Sequence, residues 1–187
     1  MRLGVSVLLG LLLSLGALAP GHAAEPIEDY ASYEPARNCH PAPKRGTVEL
    51  ARWVVRQFGG DSVGDARPCG RKRSVTSEHQ SGRAFDWFAD VRRASDRRRV
   101  HALLDALFEA DRRGNEDARA RRMGVMYVIW ADRIYPAWNG FRPEPYLSSA
   151  CKKRSKCSRT LRHRDHVHVS LDRAGSRGRT SWYAGRL

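Results

Sequence analysis

The chain has 187 residues and a formal charge of +14, with 29% charged and 41% hydrophobic residues. With no second apolar segment of membrane-spanning length after the N-terminal one, a polytopic membrane protein is excluded, and no internal repeat is visible. The positive surplus, carried by Arg far more than Lys, points to an anionic partner.

Met1-Arg2 and the apolar stretch Leu3 to Ala19 lead into Gly21-His22-Ala23, with small residues three and one before a cut after Ala23. Residues 1–23 therefore read as a secretory signal peptide. As a membrane anchor the stretch is short, because it is interrupted by Gly4, Gly10 and Gly16 and a span needs ~20 residues. No cysteine follows the cut to carry a lipid. Removing residues 1–23 from 187 leaves 164, and Arg2 is the only charge lost, so +14 becomes +13. One domain fits that length. Export turns the anionic partner toward cell-wall polymers, a membrane surface or extracellular DNA rather than intracellular nucleic acid.

Residues 24–46 hold Pro26, Pro35, Pro41, Pro43 and Gly46 without periodicity, and read as an extended lead-in fastened by Cys39; the ordered domain is set at 47–187. Thr47 can cap a first helix whose Leu50, Trp53, Val54 and Phe58 share a face, with Gly59-Gly60 as its stop. Ala84 to Phe88 is a strand candidate. Ser95 can cap a second helix with the apolar stripe Val100, Leu103, Leu104, Leu107 and Phe108, ended by Gly114. Asn115 can start a short third helix ending at Gly124, followed by the buried strand Val125–Trp130; His166 to Leu171 is a further strand. Helices and strands that do not strictly alternate predict an α+β domain, with helices packed on one side of a small, mostly antiparallel sheet. The runs Arg97-Arg98-Arg99, Arg112-Arg113 and Arg121-Arg122 read as solvated helix faces, whereas Lys152 to Lys156 immediately precedes a histidine cluster.

Four cysteines, Cys39, Cys69, Cys151 and Cys157, allow three pairings in an oxidising compartment. Cys39–Cys69 with Cys151–Cys157 is favoured, because the second bridge closes a short Lys/Arg-rich loop that poorly specifies its own shape. A four-cysteine zinc site would need close C-x-x-C couples, and there are none.

The chemistry concentrates in two segments. Four of the seven histidines, His79, His163, His166 and His168, lie in short stretches that also hold Asp86 and Asp165. A histidine and a carboxylate seven positions apart, joined by a later histidine, supply three ligands and leave a fourth tetrahedral position open to water. On a strand, His166, His168 and Ser170 face one way and Val167, Val169 and Leu171 the other. Asp86 shares a face with Ala84 and Phe88, and Gly82 permits a turn that returns His79 over Asp86. Trp87 then packs the far side of its strand.

Ser77-Glu78-His79-Gln80-Ser81-Gly82-Arg83-Ala84-Phe85-Asp86 resembles the S-x-H-x-x-G-x-A-x-D signature of zinc D-Ala-D-Ala carboxypeptidases. His166-Val167-His168 resembles the closing H-x-H of the wider lysostaphin, D-Ala-D-Ala and Hedgehog-type zinc fold. Thr76 to Trp87 and Asp165 to His168 are also similar to T-S-E-H-x-x-G-R-A-x-D-W and D-H-V-H of secreted actinobacterial proteins of uncertain function. The resemblance implies zinc as cofactor, with His79, Asp86 and His168 as ligands on a four-stranded antiparallel sheet. Where the carboxypeptidases place a Glu three before the last ligand this chain has Asp165, so His166 and Asp165 rank equally as acid/base, with His163 third. Asp165 can alternatively accept an N–H from a ligating imidazole.

The implied activity is zinc-assisted amide hydrolysis by a secreted peptidase acting on peptidoglycan peptides. Arg67, Arg71 and Arg73 are the candidates to grip an oxyanion or terminal carboxylate. Two alternatives stand beside it: a zinc-containing wall-binding module without turnover, and a secreted metal-dependent nuclease, the latter weakened by the lack of a carboxylate set for a second metal.

Overall fold

The computed structural model describes residues 27–63, 67–69 and 77–187. The signal-peptide segment, and Arg71 and Arg73, lie outside the described residues. In chain order the elements are α1 (Arg45–Phe58), β1 (Ser62–Val63), β2 (Ala84–Phe88), α2 (Ala94–Phe108), α3 (Ala118–Met123), β3 (Val125–Trp130), β4 (Arg133–Pro136), β5 (Glu144–Pro145), β6 (His166–Leu171) and α4 (Arg173–Ser176). The strands form one sheet in the order β1-β2-β6-β3-β4-β5, every pair antiparallel. The fold is α+β, as its mixed element order predicts.

Strand alternation divides the sheet into two unlike faces. Phe85 and Trp87 of β2, Val128 and Trp130 of β3, and Val167 and Val169 of β6 pack on Leu50 and Val54 of α1, Val100, Leu103 and Leu107 of α2, and Met123 of α3. Burying each such side chain contributes roughly 1.5–3 kcal/mol relative to leaving it in water. Trp87 is fully buried on this side, its indole N–H donating to Gly59 O at 2.9 Å. The opposite face carries Asp86, Tyr127, Ile129, His166, His168 and Ser170, and so holds most of the polar chemistry.

A bulge on β3 sets which residues face which way. Val125 pairs with Leu171, but Tyr127 pairs with the next residue along, Ser170, leaving Met126 as the extra residue. Val125 thereby stays in the core while Tyr127 and Ile129 turn to the polar face, a re-aiming that bulges commonly perform.

Several boundaries differ from expectation for local reasons. Helix α1 begins at Arg45, and Thr47 is not its cap: fully buried, its hydroxyl donates to Gly82 O at 2.9 Å. Ser95 sits inside α2 rather than capping it, and α2 ends at Phe108, well before Gly114. Asp111 ends the apolar run by accepting from the backbone N–H of Arg113 and Asn115, a local turn that competes with helix, so α3 starts at Ala118 and not at Asn115. Gly124, left-handed at φ 66°, closes α3 as expected.

The basic runs are only partly solvated faces. Arg99 pairs with Asp96 at 2.7 Å and lies over Trp87, Arg121 donates to Glu28 O and covers the Tyr30 ring, and Arg122 pairs with Asp111 at 2.9 Å. The cysteines form the favoured pairs, Cys39–Cys69 and Cys151–Cys157, with Cα separations of 5.8 and 5.6 Å, which leaves none of the four thiols to bind metal. Bridges of this kind suit an oxidising compartment. No helix among the described residues is long and apolar enough to cross a membrane.

Candidate metal centre

The centre is assembled from β2, β6 and the turn that precedes β2. Asp86 and His168 are direct cross-strand partners on the polar face. His79 comes from outside the sheet, carried by the tight turn 78–82, in which Gly82 N donates to His79 O at 3.1 Å and Gly82 adopts φ 66°. The lead-in clamps that turn: Gly82 O accepts from Lys44 N and Thr47 Oγ1, both at 2.9 Å, His40 N donates to Gln80 O at 2.6 Å, and Lys44 Nζ donates to Ser81 O. Arg83, buried, ties the same strand entrance to the lead-in through Glu34 O at 2.6 Å and to Leu171 O at 3.1 Å.

This clamp makes Gly82 sensitive to substitution. A Cβ there would lie 2.4 Å from Ala42 O at a φ that side chains rarely adopt. Gly82→Ala is expected to lower unfolding free energy by about 2–4 kcal/mol in urea titrations. A change below about 0.5 kcal/mol, the ordinary range for a surface position, would show the turn is not held as described.

Three ligand atoms converge. His79 Nε2 lies 3.0 Å from His168 Nδ1 and 3.1 Å from Asp86 Oδ1, and His168 Nδ1 lies 3.0 Å from that same oxygen. All three side chains are buried, and their ligand atoms fall within the spread expected of a metal-binding group. Zinc bonds of ~2.0–2.1 Å to nitrogen imply tetrahedral edges of about 3.3 Å, close to this triangle. The donor set of two imidazoles and one carboxylate suits a borderline divalent metal.

Burial disfavours the charged Asp86 carboxylate, but hydrogen bonds from His168 and His79 outweigh it and hold its pKa well below the usual carboxylate range. Burial pushes the His168 imidazole down. A neutral imidazole and an ionised carboxylate are the forms in which these groups bind metal.

Around the triangle the other expected residues take distinct places. His166 Nε2 faces the cluster, 3.8 Å from Asp86 Oδ1, while its Nδ1 meets Asp165 Oδ1 at 2.7 Å. Asp165 Oδ2 accepts in turn from Thr160 Oγ1 at 2.7 Å. His163 packs against both His166 and His168, ring centres 4.8 and 5.6 Å away; burial, with His168 and His166 nearby, lowers its pKa to about 2. Arg67 reaches the rim, its guanidinium 4.0 Å from Asp86 Oδ2 and half exposed, beside the Cys39–Cys69 bridge.

The 154–164 loop is held by acidic anchors. Asp132 accepts from Arg162 at 2.7 and 2.9 Å and from Arg164 at 2.8 Å, and Arg159 pairs with Asp90 at 2.8 Å. The Arg162 contact dominates in drawing the Asp132 carboxyl down to about 2. The hairpin turn Ala131-Asp132, both at positive φ, docks on this loop through Ala131 N to His163 O at 2.7 Å.

Two site residues give no metal-ligand signal in the sequence. Glu78, buried, accepts from Tyr127 OH at 2.8 Å, and the Tyr127 ring stacks on His168 with centres 5.6 Å apart. Ser170 Oγ lies 2.8 Å from His168 Nε2. The only available hint was that Glu78 adjoins His79 and that Ser170 shares the face of His168.

Fold and site together define a small α+β domain with a buried histidine–aspartate–histidine group that could hold a metal ion, on one face of an antiparallel sheet. The family model described as VldE, C-terminal domain, matches residues 39–152, more than half of the chain, and the chain belongs to that family. The matched stretch includes His79 and Asp86 and stops before His168. No curated protein and no solved structure matches the chain significantly.

Proposed function

We propose that the protein is a secreted zinc-dependent peptidase acting on peptidoglycan peptides, of carboxypeptidase or endopeptidase type. The observation that carries the reading is a three-ligand cluster with a carboxylate-backed imidazole, His166, facing it at 3.8 Å. That combination of an open metal position and an adjacent proton carrier is what amide hydrolysis needs.

His79, Asp86 and His168 would hold the metal. When bound, zinc supplies the Lewis acidity that activates water and polarises a carbonyl. The Nδ1–H of His166 donates to Asp165, which leaves the Nε2 lone pair aimed at the cluster to take a proton from the attacking water. The same nitrogen then returns that proton to the departing amine. Of the two groups ranked equally, this reading takes His166 as the base and Asp165 as the group that orients its ring. His163, held neutral by burial and packed against His166 and His168, serves packing rather than proton transfer. The Arg67 guanidinium is placed to receive the developing oxyanion or a substrate carboxylate.

Incubating the zinc-loaded domain with peptidoglycan and defined stem peptides, with a chelated control, tests the reading by mass spectrometry of the products. A chelator-sensitive cleaved peptide is the expected result. No product across the panel, with zinc bound stoichiometrically, would replace the peptidase by a wall-binding module; cleavage of plasmid DNA instead would favour the nuclease.

A further inference from the structure

The chain has five lysines, and three of them, Lys152, Lys153 and Lys156, sit with Arg154 in the loop closed by the Cys151–Cys157 bridge. All four cations are exposed. Among the described residues no carboxylate lies within 4.0 Å of the three lysines, and Arg154 reaches only the edge of Asp132, at 3.8 Å. The acids at this end of the sheet are already engaged, Asp132 by Arg162 and Arg164, Asp90 by Arg92 and Arg159. Like charges gathered this closely repel one another, a cost that a bound anion removes. Both ends of the loop are tied to the proton-carrying side of the centre: before it the Tyr146 ring packs on His163, centres 5.0 Å apart, and after it Thr160 donates to Asp165 at 2.7 Å.

The residue type and the loop's shape select the anion. Guanidinium forks suit planar carboxylates, whereas ammonium groups act as point charges on phosphate, and a chain that elsewhere relies on Arg concentrates Lys here. The loop holds a single 3₁₀ turn, Arg154–Lys156, with no α-helix or paired strand to fill a duplex groove, so its charges match successive phosphates of one flexible strand. We propose that the 151–157 loop docks a polyol-phosphate polymer of the cell wall beside the centre formed by His79, Asp86 and His168. A polymer held there raises the local concentration of wall-attached peptides at the centre. The choice of a wall polymer rests on the peptidase reading above, whereas the loop's affinity for a phosphodiester strand does not.

The test reads binding, not turnover, and is run with chelator present: fluorescence anisotropy of labelled poly(glycerol phosphate) at about 0.15 M salt. The triple variant Lys152→Gln, Lys153→Gln, Lys156→Gln is expected to bind about tenfold more weakly or worse, with its unfolding midpoint unchanged or raised because repulsion is relieved. A charge-matched triple variant, Arg98→Gln, Arg112→Gln, Arg113→Gln, removes exposed cations on and after α2, which packs on the other face of the sheet, and should stay within about threefold of wild type. Equal loss in the two variants, or a wild type that does not bind, overturns the proposal. Tighter wild-type binding to a duplex DNA oligonucleotide or to anionic lipid vesicles overturns it as well. No metal takes part in this measurement, so its failure leaves the peptidase reading standing, and a protein inactive on stem peptides still decides the docking comparison.

Discussion

His79→Ala protein purified with zinc in the buffer should emerge without stoichiometric metal, whereas the wild type retains it. His79 Nε2 touches both other ligand atoms at 3.0–3.1 Å, so its loss opens one corner of the triangle. Zinc-finger sites bind with roughly 10–16 kcal/mol across four ligands, so one ligand accounts for on the order of 4 kcal/mol, about a thousandfold in affinity. Elemental analysis after dialysis against a buffered zinc solution measures this directly. His168→Ala should behave alike. Asp86→Asn should lose metal too, since the neutral amide gives up the anionic charge that both imidazoles surround. Wild-type zinc content in His79→Ala would remove the centre from this position and take the peptidase reading with it.

His166→Ala should retain zinc and lose hydrolysis by about 10²–10⁴-fold, the usual contribution of a positioned acid/base. Its Nε2 faces the cluster without belonging to the ligand triangle, so affinity and turnover are expected to separate. Asp165→Ala should cost less, about 10–100-fold, because the imidazole remains and only its orientation is released. His163→Ala should leave the pH profile of the reaction in place, since burial keeps that imidazole neutral down to about pH 2. Steady-state rates on a cleaved stem peptide, measured beside zinc content, distinguish the three. Full activity in both His166→Ala and Asp165→Ala would sink the assignment of the proton carrier.

The motif from Ser77 to Asp86 and the later His166-Val167-His168 single out His79, Asp86 and His168 in the sequence, and the strand alternation of His166 to Leu171 explains how two of them can meet on one face. The lead-in, by contrast, reads as loosely extended chain. Residues 27–44 form no helix or strand, yet their backbone and side chains bind the turn carrying His79. Such contacts join segments some forty residues apart, as with His40 N and Gln80 O, and leave no periodicity behind. The arginines behave similarly: a run such as Arg97-Arg98-Arg99 looks like a solvated face until Arg99 is seen over Trp87 and against Asp96.

By itself the sequence determined β2, β3 and β6 to the residue, the apolar stripe of α2, the two-faced character of the histidine strand, and the convergence of His79 on Asp86 through Gly82. Each depends on short-range periodicity or on one residue's backbone freedom, which neighbours in the chain encode. Only the tertiary structure decided that Thr47 holds Gly82 instead of capping a helix, that Arg67 reaches Asp86, and that Glu78 belongs to the centre. Most of all it decided Tyr127. The run Val125–Trp130 is apolar throughout and carries no phase, so the bulge against β6, a property of strand pairing, chose which of its side chains meets the histidines.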